Sequence, residues 1–278
     1  MEKERSAIII SASSDIGTEM CHRWKSKGWR VYGTYRTKSK AADDLIKRGI
    51  DLVYCDLSNP QSVRDACSNL RKLSPAWDVL VLCPGMQDPV GPFMEDDFDE
   101  WENSIKVNFT SQLRIVHTLL PSRNVGQDSS PCVIFFAGGG TNDAPANYSA
   151  YILSKIALIK MTELLDSEIK DTRFVIIGPG WVKTKIHEST LKAGLRAGDN
   201  YQRTIEKLAS DECTSMEKVL DCCDWLIGSP CELVSGRNFS VAFDMWGTEE
   251  LAKRLAEDPN MYKLRRYGND WIVKREKR

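Results

Sequence analysis

The sequence predicts an α/β protein in which a doubly wound, seven-stranded, mostly parallel sheet has helices on both of its faces. Three observations support this prediction. Short apolar runs alternate six times with helical patterns along residues 7–177, the order that parallel strands and their crossover helices require. The runs are apolar throughout rather than at every second residue, as expected of strands that are covered on both faces. Apolar residues make up 42% of the chain and charged residues 28%, a balance typical of globular domains.

The predicted strands are short and rich in isoleucine, valine and aromatic residues. They cover residues 7–10, 30–35, 52–54, 79–82, 133–136, 174–177 and 238–243. Gly28 and Gly49 follow the first two helical patterns, and Pro60 opens the third, which are the positions these residue types favour at helix ends. Thr214-Ser215-Met216-Glu217 resembles a capping box at the start of the last helix. The predicted helices cover residues 16–27, 41–48, 59–73, 97–120, 148–170 and 214–227.

The organisation predicted from these elements is one domain followed by an extension. No repeat, linker or low-complexity stretch divides the chain, so we expect a single domain over residues 1–243 and a C-terminal extension over residues 244–278. Residues 183–212 contain no strand pattern and mix charges with glycine, which indicates a helical lid.

Charge and composition exclude several classes of function. Lys and Arg total 38 and Asp and Glu total 39, a net charge of -1, so we expect no nucleic-acid or membrane partner. No apolar run approaches the roughly 18 residues of a membrane span, and no signal-peptide pattern is visible. The nine cysteines form no C-x-x-C pair and the three histidines lie far from any cysteine pair. We therefore expect reduced thiols, a cytoplasmic protein and no metal site.

The loop after the first strand has the position of a phosphate-binding turn. It joins a strand to a helix, so backbone N–H groups at the helix N-terminus face the ligand position. Its side chains are small, which lets a pyrophosphate approach, but it has one glycine where a dinucleotide-binding fingerprint has three. The charge of its aspartate counts slightly against binding an anion. The candidate residues are Ser11, Ser13, Ser14, Asp15, Ile16 and Gly17.

Taken together, the loops resemble the short-chain dehydrogenase/reductase family over roughly residues 6–243. Tyr151-Ile152-Leu153-Ser154-Lys155 matches the family's Tyr-x-x-x-Lys motif, and Asn108 matches its helix asparagine. Gly17 is the one glycine kept from its Thr-Gly-x-x-x-Gly-x-Gly turn. The resemblance implies a Rossmann-type fold and a nicotinamide cofactor. Besides the first loop, the resemblance implies that the cofactor is bound by a residue pair after strand three, by the loops after strands four and six, and by the helix motif. These residues are Asp56, Leu57, Cys83, Pro84, Gly85, Tyr151, Lys155, Pro179, Gly180, Val182 and Thr184.

The Tyr–Lys pair suits proton transfer. Four residues apart on a helix, Tyr151 and Lys155 share one face, and a nearby ammonium favours tyrosinate, so we expect it to lower the pKa of the phenol. The tyrosine then gives a proton to a carbonyl oxygen, or takes one from an alcohol, as hydride moves. The resemblance implies that Lys155 also holds the nicotinamide ribose and that Asn108 supports the lysine through a water molecule.

The family's carbonyl-polarising serine is missing. Its position falls on Ala137 or Gly138, neither of which has a side-chain donor, and losing such a donor costs on the order of 10²–10³ in rate. Three alternatives follow. Thr141 supplies the hydroxyl by folding back over the glycine run, a substrate group or a backbone amide serves instead, or the protein is slow or inert as a reductase. In the last case it is a cofactor-binding pseudoenzyme that acts as a scaffold or sensor.

The end of the second strand predicts the cofactor. An acidic residue there would select NAD by binding the ribose 2′-OH, but Tyr35 is followed by Arg36, Thr37 and Lys38. Arg36 resembles the family's NADP-selecting arginine, and Lys38 is placed to help hold a 2′-phosphate. The sequence thus predicts NADP(H) in preference to NAD(H).

The substrate is predicted to be a small ketone or alcohol. Residues 136–141 and the tail with Trp246 resemble reductases of bacterial surface-glycan biosynthesis clusters, which implies a sugar or sugar-nucleotide. The lid contains several basic residues and His187, which fit an anionic group or form a solvated surface, and Trp181 is either a wall for a ring-shaped substrate or core. The resemblance further implies a homodimer or homotetramer packed through the helices that contain Asn108 and Tyr151.

Overall fold

The computed structural model describes residues 4–126 and 130–266 and contains one parallel sheet of seven strands. All six strand pairings are parallel, so the prediction of a mostly parallel sheet is confirmed in its strictest form. The strands are β1 (Ser6–Ile10), β2 (Arg30–Tyr35), β3 (Asp51–Tyr54), β4 (Val79–Leu82), β5 (Cys132–Phe136), β6 (Arg173–Gly178) and β7 (Arg237–Ser240).

The helices lie on both faces of the sheet, as predicted. The described helices are α1 (Asp15–Ser26), α2 (Lys40–Lys47), α3 (Pro60–Leu73), α4 (Phe98–Ile105), α5 (Ser111–Leu119), α6 (Ser149–Glu168), α7 (Glu188–Ala193), α8 (Asp199–Ala209), α9 (Met216–Gly228), α10 (Cys231–Val234) and α11 (Glu249–Glu257). No helix in this part of the chain is long and apolar enough to cross a membrane.

Successive residues of each central strand feed two separate cores. Ile9 of β1 belongs to the core under α1, α2, α9 and α11, whereas Ile8 and Ile10 belong to the core under α3, α5 and α6. All three isoleucines are fully buried, and burying each contributes about 1.5–3 kcal/mol. This two-sided burial explains why β4 and β5 are apolar at every position, whereas the edge strand β3 begins and ends with the exposed residues Asp51 and Tyr54.

The strand order places a ligand crevice at the centre of the sheet. The order is β3-β2-β1-β4-β5-β6-β7, so the chain winds outward in opposite directions from β1 and β4. At such a switch point the loops that leave the carboxyl ends of the two strands diverge and leave a crevice. The loops predicted to bind the cofactor all emerge at this edge.

The predicted helix over residues 97–120 is interrupted. A π-helical turn, Lys106–Thr110, separates α4 from α5, and Ser111 N bonds to Lys106 O five residues back. The turn contains Asn108, whose side chain bonds outside the helix to both the N–H and the C=O of Met86, at 2.9 and 2.7 Å. These external bonds accompany the extra residue, which the 3.6-residue pattern of the sequence could not reveal.

Two other element ends differ from prediction. The seventh strand ends at Ser240 rather than at residue 243, because the Asp244 carboxylate accepts from Ser240 N at 2.6 Å and turns the chain. The N-cap of α9 is Ser215, whose hydroxyl accepts from Lys218 N at 3.2 Å. The capping box beginning at Thr214 is therefore one residue out of register.

The described part of the predicted C-terminal extension packs onto the sheet. Leu251 and Leu255 of α11 join the core under α1. The buried Arg237 of β7 donates to the carbonyls of Leu255, Asp258 and Met261, at 2.6–3.1 Å. The rest of the predicted extension, residues 267–278, lies outside the described residues.

Candidate active site

The predicted catalytic pair lies at the start of α6, beneath the carboxyl ends of β4 and β5. Tyr151 and Lys155 are one helical turn apart and both are buried, with 7% and 2% of their surface exposed. Lys155 Nζ donates to Phe136 O at 2.9 Å and to Pro84 O at 3.3 Å. It lies 5.7 Å from the centroid of the Tyr151 ring. The ammonium is therefore fixed by the ends of two strands rather than by the phenol.

Burial controls the ionisation of both groups. It raises the pKa of Tyr151 to about 12, opposite to the direction expected from the sequence. The reason is that Lys155 Nζ points at two carbonyl oxygens and not at the phenol oxygen, so desolvation dominates. Burial also lowers the pKa of Lys155 to about 8, partly opposed by the nearby Cys83 thiol. Tyr151 is thus a neutral acid at physiological pH.

The place of the missing serine is occupied by the tyrosine itself. A Cβ built on Gly138 would lie 2.7 Å from Cε1 and Cζ of Tyr151, and closer still to its hydroxyl oxygen. Ala137, the other candidate position, is buried in the core under α3, α5 and α6. Thr141 Oγ1 donates to Gly138 O at a long 3.4 Å. Gly138 is consequently the residue that faces the Tyr151 phenol.

Asn108 anchors the loop after β4. Its amide bonds the backbone of Met86 in both directions, as described above, and its Nδ2 also donates to Ser104 Oγ at 3.2 Å. Asn108 O accepts from Gln112 Nε2 at 2.8 Å. Sequence reasoning missed Gln112, although a glutamine one turn after Asn108 on a buried helix face is a signal that could have found it.

The loop after β1 makes a tight turn into α1 despite its lost glycines, with Ser14 N bonded to Ser11 O at 2.9 Å. Ser11 adopts a left-handed φ of 59° at the first lost glycine position. The retained Gly17 cannot be replaced without movement, because a Cβ there would lie 2.5 Å from Ser11 O. Ser14 caps α1 by accepting from Gly17 N at 3.2 Å, while Ser13 and Ile16 are half-buried. Ser11, Ser14 and Gly17 thus keep the tight turn.

Asp15 links this turn to the lid. Its Oδ2 accepts from Lys185 N at 2.7 Å. The next lid residue, Ile186, has its Cδ1 3.1 Å from the position of a Cβ on Gly85, in the loop after β4. The first turn of the lid, Lys185–His187, therefore lies across the crevice between the loops after β1 and β4. This lid contact was not predicted.

The basic residue predicted to read the ribose phosphate is exposed at the end of β2. Arg36 and Lys38 form no ion pair within the described ranges, and both are exposed. Tyr35 contacts Tyr54 edge to face, with ring centroids 6.0 Å apart. Asp56 Oδ1 accepts from the amide and hydroxyl of Ser58, at 3.0 and 2.7 Å. A free guanidinium next to an ordered loop suits a phosphate ligand.

The remaining predicted cofactor residues border the same crevice. Cys83 N bonds to Ile10 O at 3.2 Å, which joins the loops after β1 and β4. Leu57 is buried and its carbonyl accepts from Ser111 Oγ at 2.7 Å. Gly180, with a φ of 77°, packs against Thr214 and Ala242. The others are placed at the ends of β4 and β6: Pro84, Gly85, Pro179, Val182 and Thr184.

An aromatic pair follows the loop after β6. Trp181 stacks on His187 with ring centroids 4.8 Å apart and planes 4° from parallel. His187 Nε2 donates to Val182 O at 3.0 Å, and burial lowers the pKa of the imidazole. The ring is thus a neutral, partly buried surface next to the crevice rather than a cation.

The lid docks on an acidic loop. Arg196 pairs with Glu95 and Asp96 at 3.1 and 3.2 Å. Beside this contact lies a cavity of about 370 Å³ in which five carboxylates outnumber two cations. Its charged lining residues are Asp88, Glu95, Asp96, Asp97, Glu100, Lys192 and Arg196. Tyr151 does not line this cavity, which lies between the segment that follows β4 and the lid.

The part of the chain that the structure describes contains no group of side chains that could hold a metal ion. All nine cysteines are free thiols. The residues that border the crevice fit a nicotinamide dinucleotide. They provide a tight turn at a helix N-terminus, a free arginine after β2, and a glycine, Gly180, at which a Cβ atom would collide with Thr214 and Ala242.

The chain is similar in sequence to known proteins. Residues 5–193 match the family described as short chain dehydrogenase. The chain is 23% identical over 255 residues to the 3-oxoacyl-(acyl-carrier-protein) reductase FabG of Buchnera aphidicola, covering 88% of this chain and 99% of that protein. It is 22% identical over 209 residues to the serine 3-dehydrogenase of Rhizobium radiobacter, covering 74% and 83%.

Solved structures share the fold. The short-chain dehydrogenase/reductase YIR035C of Saccharomyces cerevisiae superposes with a TM-score of 0.75 at 19% identity, covering 90% of this chain and 98% of that one. The actinorhodin polyketide ketoreductase solved with NADPH has a TM-score of 0.72 at 18% identity, covering 87% and 98%.

Proposed function

The chain belongs to the short-chain dehydrogenase/reductase family, and we propose that it is an NADP(H)-dependent reductase in which Tyr151 protonates a ketone oxygen. The observation that supports this most is the position of the phenol. Tyr151 lies at the carboxyl edge of the sheet, one turn before the buried Lys155, whose Nζ donates to Pro84 O and Phe136 O. Burial raises the pKa of Tyr151, and the neutral tyrosine is the form that donates a proton in a reduction.

The cofactor supplies hydride, and the protein supplies the proton and the alignment. Ser11, Ser14 and Gly17 would hold the pyrophosphate at the N-terminus of α1. Lys155, whose ammonium is directed to the ends of β4 and β5, would hold the nicotinamide ribose. The loop with Pro179, Gly180, Val182 and Thr184 would hold the nicotinamide.

Preference for NADP(H) is proposed on charge. Arg36 is exposed and unpaired within the described ranges, and β2 ends without a carboxylate. A guanidinium matches a phosphate with two parallel hydrogen bonds, whereas the ribose hydroxyl of NAD(H) offers it nothing comparable. Lys38 adds a second charge two residues on.

Tyr151 supplies one hydrogen bond to the substrate oxygen, and a second hydrogen bond needs a donor that is not a serine. Thr141 is proposed for this role because its hydroxyl already lies against Gly138 O, at 3.4 Å. If Thr141 supplies this donor, Thr141→Val should lower kcat/KM by roughly 10²–10³-fold. An unchanged value would move the role to a backbone amide or to the substrate.

A keto-sugar is proposed as the substrate. Sugar hydroxyls are bound by carboxylates and sugar rings by aromatic planes, and the crevice is bordered by the acidic cavity and by the Trp181–His187 stack. The excess of carboxylates in this cavity disfavours a diphosphate there, since like charges repel. We therefore rank a neutral keto-sugar above a sugar-nucleotide.

We propose that the protein forms a homo-oligomer that packs through α4 and α6. Leu153 and Leu164 are 49% and 44% exposed on one face of α6. Next to it, Phe98 stacks on Trp101, with ring centroids 5.3 Å apart. An exposed apolar surface of this kind indicates a protein contact. The free thiols favour a reducing compartment, and we propose the cytoplasm.

The alternative is a cofactor-binding pseudoenzyme. Two observations favour it: Gly138 offers no side-chain donor, and the lid turn at Ile186 lies against Gly85 across the crevice. A scaffold or sensor would use the cofactor to move the lid and would need no acid.

Tyr151→Phe separates the two candidates. The proposed reductase loses turnover of NADPH with a panel of ketones, including keto-sugars, by a factor on the order of 10² or more, while its affinity for NADPH stays within about threefold. Tyr148→Phe is the matched control, because Tyr148 is also buried near the start of α6 but bonds to Thr190 of the lid, at 2.8 Å. Equal turnover in wild type and Tyr151→Phe would refute the proposed chemistry.

A further inference from the structure

Gln112 is a fully buried amide that the proposed reaction does not yet use. It lies on α5, one turn after Asn108. Its Nε2 donates to Asn108 O at 2.8 Å and to Pro84 O at 3.3 Å. Pro84 O also accepts from Lys155 Nζ, at 3.3 Å. Gln112 and Lys155 therefore share one acceptor, at the end of β4.

The π-helical turn prepares this contact. Because Ser111 N bonds five residues back to Lys106 O, the backbone pairing of this helix is shifted by one residue around Asn108. The Gln112 side chain then supplies a donor to Asn108 O, and the same amide reaches Pro84. One side chain thus joins the anchor of the β4 loop to the carbonyl that holds the lysine.

Packing alone does not explain the glutamine. Its Oε1 is buried without a hydrogen-bond partner in the described part of the chain, and such an atom costs stability. A methionine has a similar length and would avoid that cost in a helix whose neighbours Ile115, Val116 and Leu119 are buried and apolar. The amide instead bonds Pro84 O, the carbonyl that also accepts from Lys155 Nζ.

We propose that Gln112 is a positioning residue for Lys155, acting through the carbonyls of Pro84 and Asn108. This proposal rests on the proposed function, since Lys155 must hold the ribose for its position to matter. Gln112 fixes the direction of the Pro84 carbonyl, and this carbonyl with Phe136 O fixes the ammonium. Pro84 lies in the loop after β4 that borders the cofactor crevice. The bond from Gln112 to Pro84 O therefore fixes the position of this loop relative to Lys155.

A double-mutant cycle on NADPH affinity tests this proposal without requiring turnover. Gln112→Met is expected to raise the Kd for NADPH about tenfold in the wild-type background. In the Lys155→Met background the same change is expected to raise it less than about twofold, because no ammonium remains to be positioned. Gln112→Glu, which sets a carboxylate against two carbonyl oxygens, should weaken binding more than Gln112→Met.

Thr162→Val is the matched control. Thr162 is a buried side-chain donor on α6 that bonds to Leu158 O at 2.8 Å and does not contact Lys155, so its loss should leave the Kd unchanged. Tight NADPH binding by wild type with an equal Kd for Gln112→Met would overturn the positioning role alone. The same fold-change in both backgrounds would overturn it too, since a merely structural effect is additive. Failure of wild type to bind NADPH would instead refute the proposed function.

Discussion

Gly138 is the position where the smallest change should have the largest effect on the candidate site. A Cβ there lies 2.7 Å from Tyr151 Cε1 and Cζ, whereas ordinary contact begins at 3.4 Å. The ring carbons must therefore retreat by about 0.7 Å in Gly138→Ala, and the hydroxyl, which lies closer, by about 1 Å. A displacement of about 1 Å at a reacting atom costs on the order of 10²-fold in rate. Overpacking of this kind also lowers the free energy of unfolding by about 1–3 kcal/mol.

Urea denaturation and NADPH oxidation measure the two effects separately. The neighbouring Gly139 is the matched control, since a Cβ there meets nothing within 4 Å. Gly139→Ala should leave turnover unchanged and keep or raise stability by up to about 1 kcal/mol. In a Tyr151→Ala background the clash partner is gone, so Gly138→Ala should lose most of its cost in stability.

Either of two results would contradict this prediction for Gly138. Equal stability and turnover of Gly138→Ala and Gly139→Ala would mean that Tyr151 does not occupy the place of a side chain at position 138. An undiminished stability cost in the Tyr151→Ala background would assign that cost to some neighbour other than the phenol.

Three further variants test the electrostatics. Relative to Lys155→Met, the free energy of unfolding of wild type should rise between pH 8 and pH 10.5, because burial lowers the lysine pKa from 10.5 to about 8 and the unfolded lysine keeps its proton over that range. Parallel pH profiles of the two proteins in urea denaturation would contradict this. Arg36→Ser should raise the Kd for NADPH about 10–100-fold and leave that for NADH unchanged in fluorescence titrations, and equal effects on both would remove the phosphate contact. Asp15→Asn keeps an acceptor for Lys185 N but removes a charge near the pyrophosphate, so NADPH should bind roughly 2–5-fold more tightly; weaker binding would mean that the carboxylate supports the closed lid and the cofactor together.

The sheet could be predicted almost residue by residue because both of its faces are covered. Burial on both sides makes Ile8, Ile9 and Ile10 equally apolar, a pattern that few other environments produce. The ends of elements were less predictable. Ser240 ends β7 because of a side-chain bond from Asp244, and such a contact leaves no periodic signal in the sequence.

The composition of the candidate site was accessible from motifs, whereas its electrostatics were not. The Tyr151–Lys155 spacing predicts a shared helix face, and the structure has it. The direction of the Tyr151 pKa depends on where Lys155 Nζ points, and that is decided by two backbone carbonyls, of Pro84 and Phe136, from distant strands. Gln112 stands one turn after Asn108, which was a usable signal, but its contact with Pro84 O joins two distant parts of the chain and is visible only in the fold.

The contact between Gly138 and Tyr151 also could not be predicted from the sequence. From the sequence alone, Gly138 is a missing serine. In the fold, the Tyr151 phenol can take its position only because residue 138 has no Cβ atom. A catalytic motif can therefore lose a member in sequence while a neighbour takes over the space, which only the packing reveals.

The central claim is that this crevice binds NADP(H) for hydride transfer, and a fluorescence titration of the purified protein with NADPH and with NADH tests it most directly. The account predicts a micromolar Kd for NADPH and at least about tenfold weaker binding of NADH, because only the phosphate of NADPH reaches Arg36. Binding of neither nucleotide would contradict it, since the turn at Ser11 and Gly17 would then not hold a pyrophosphate.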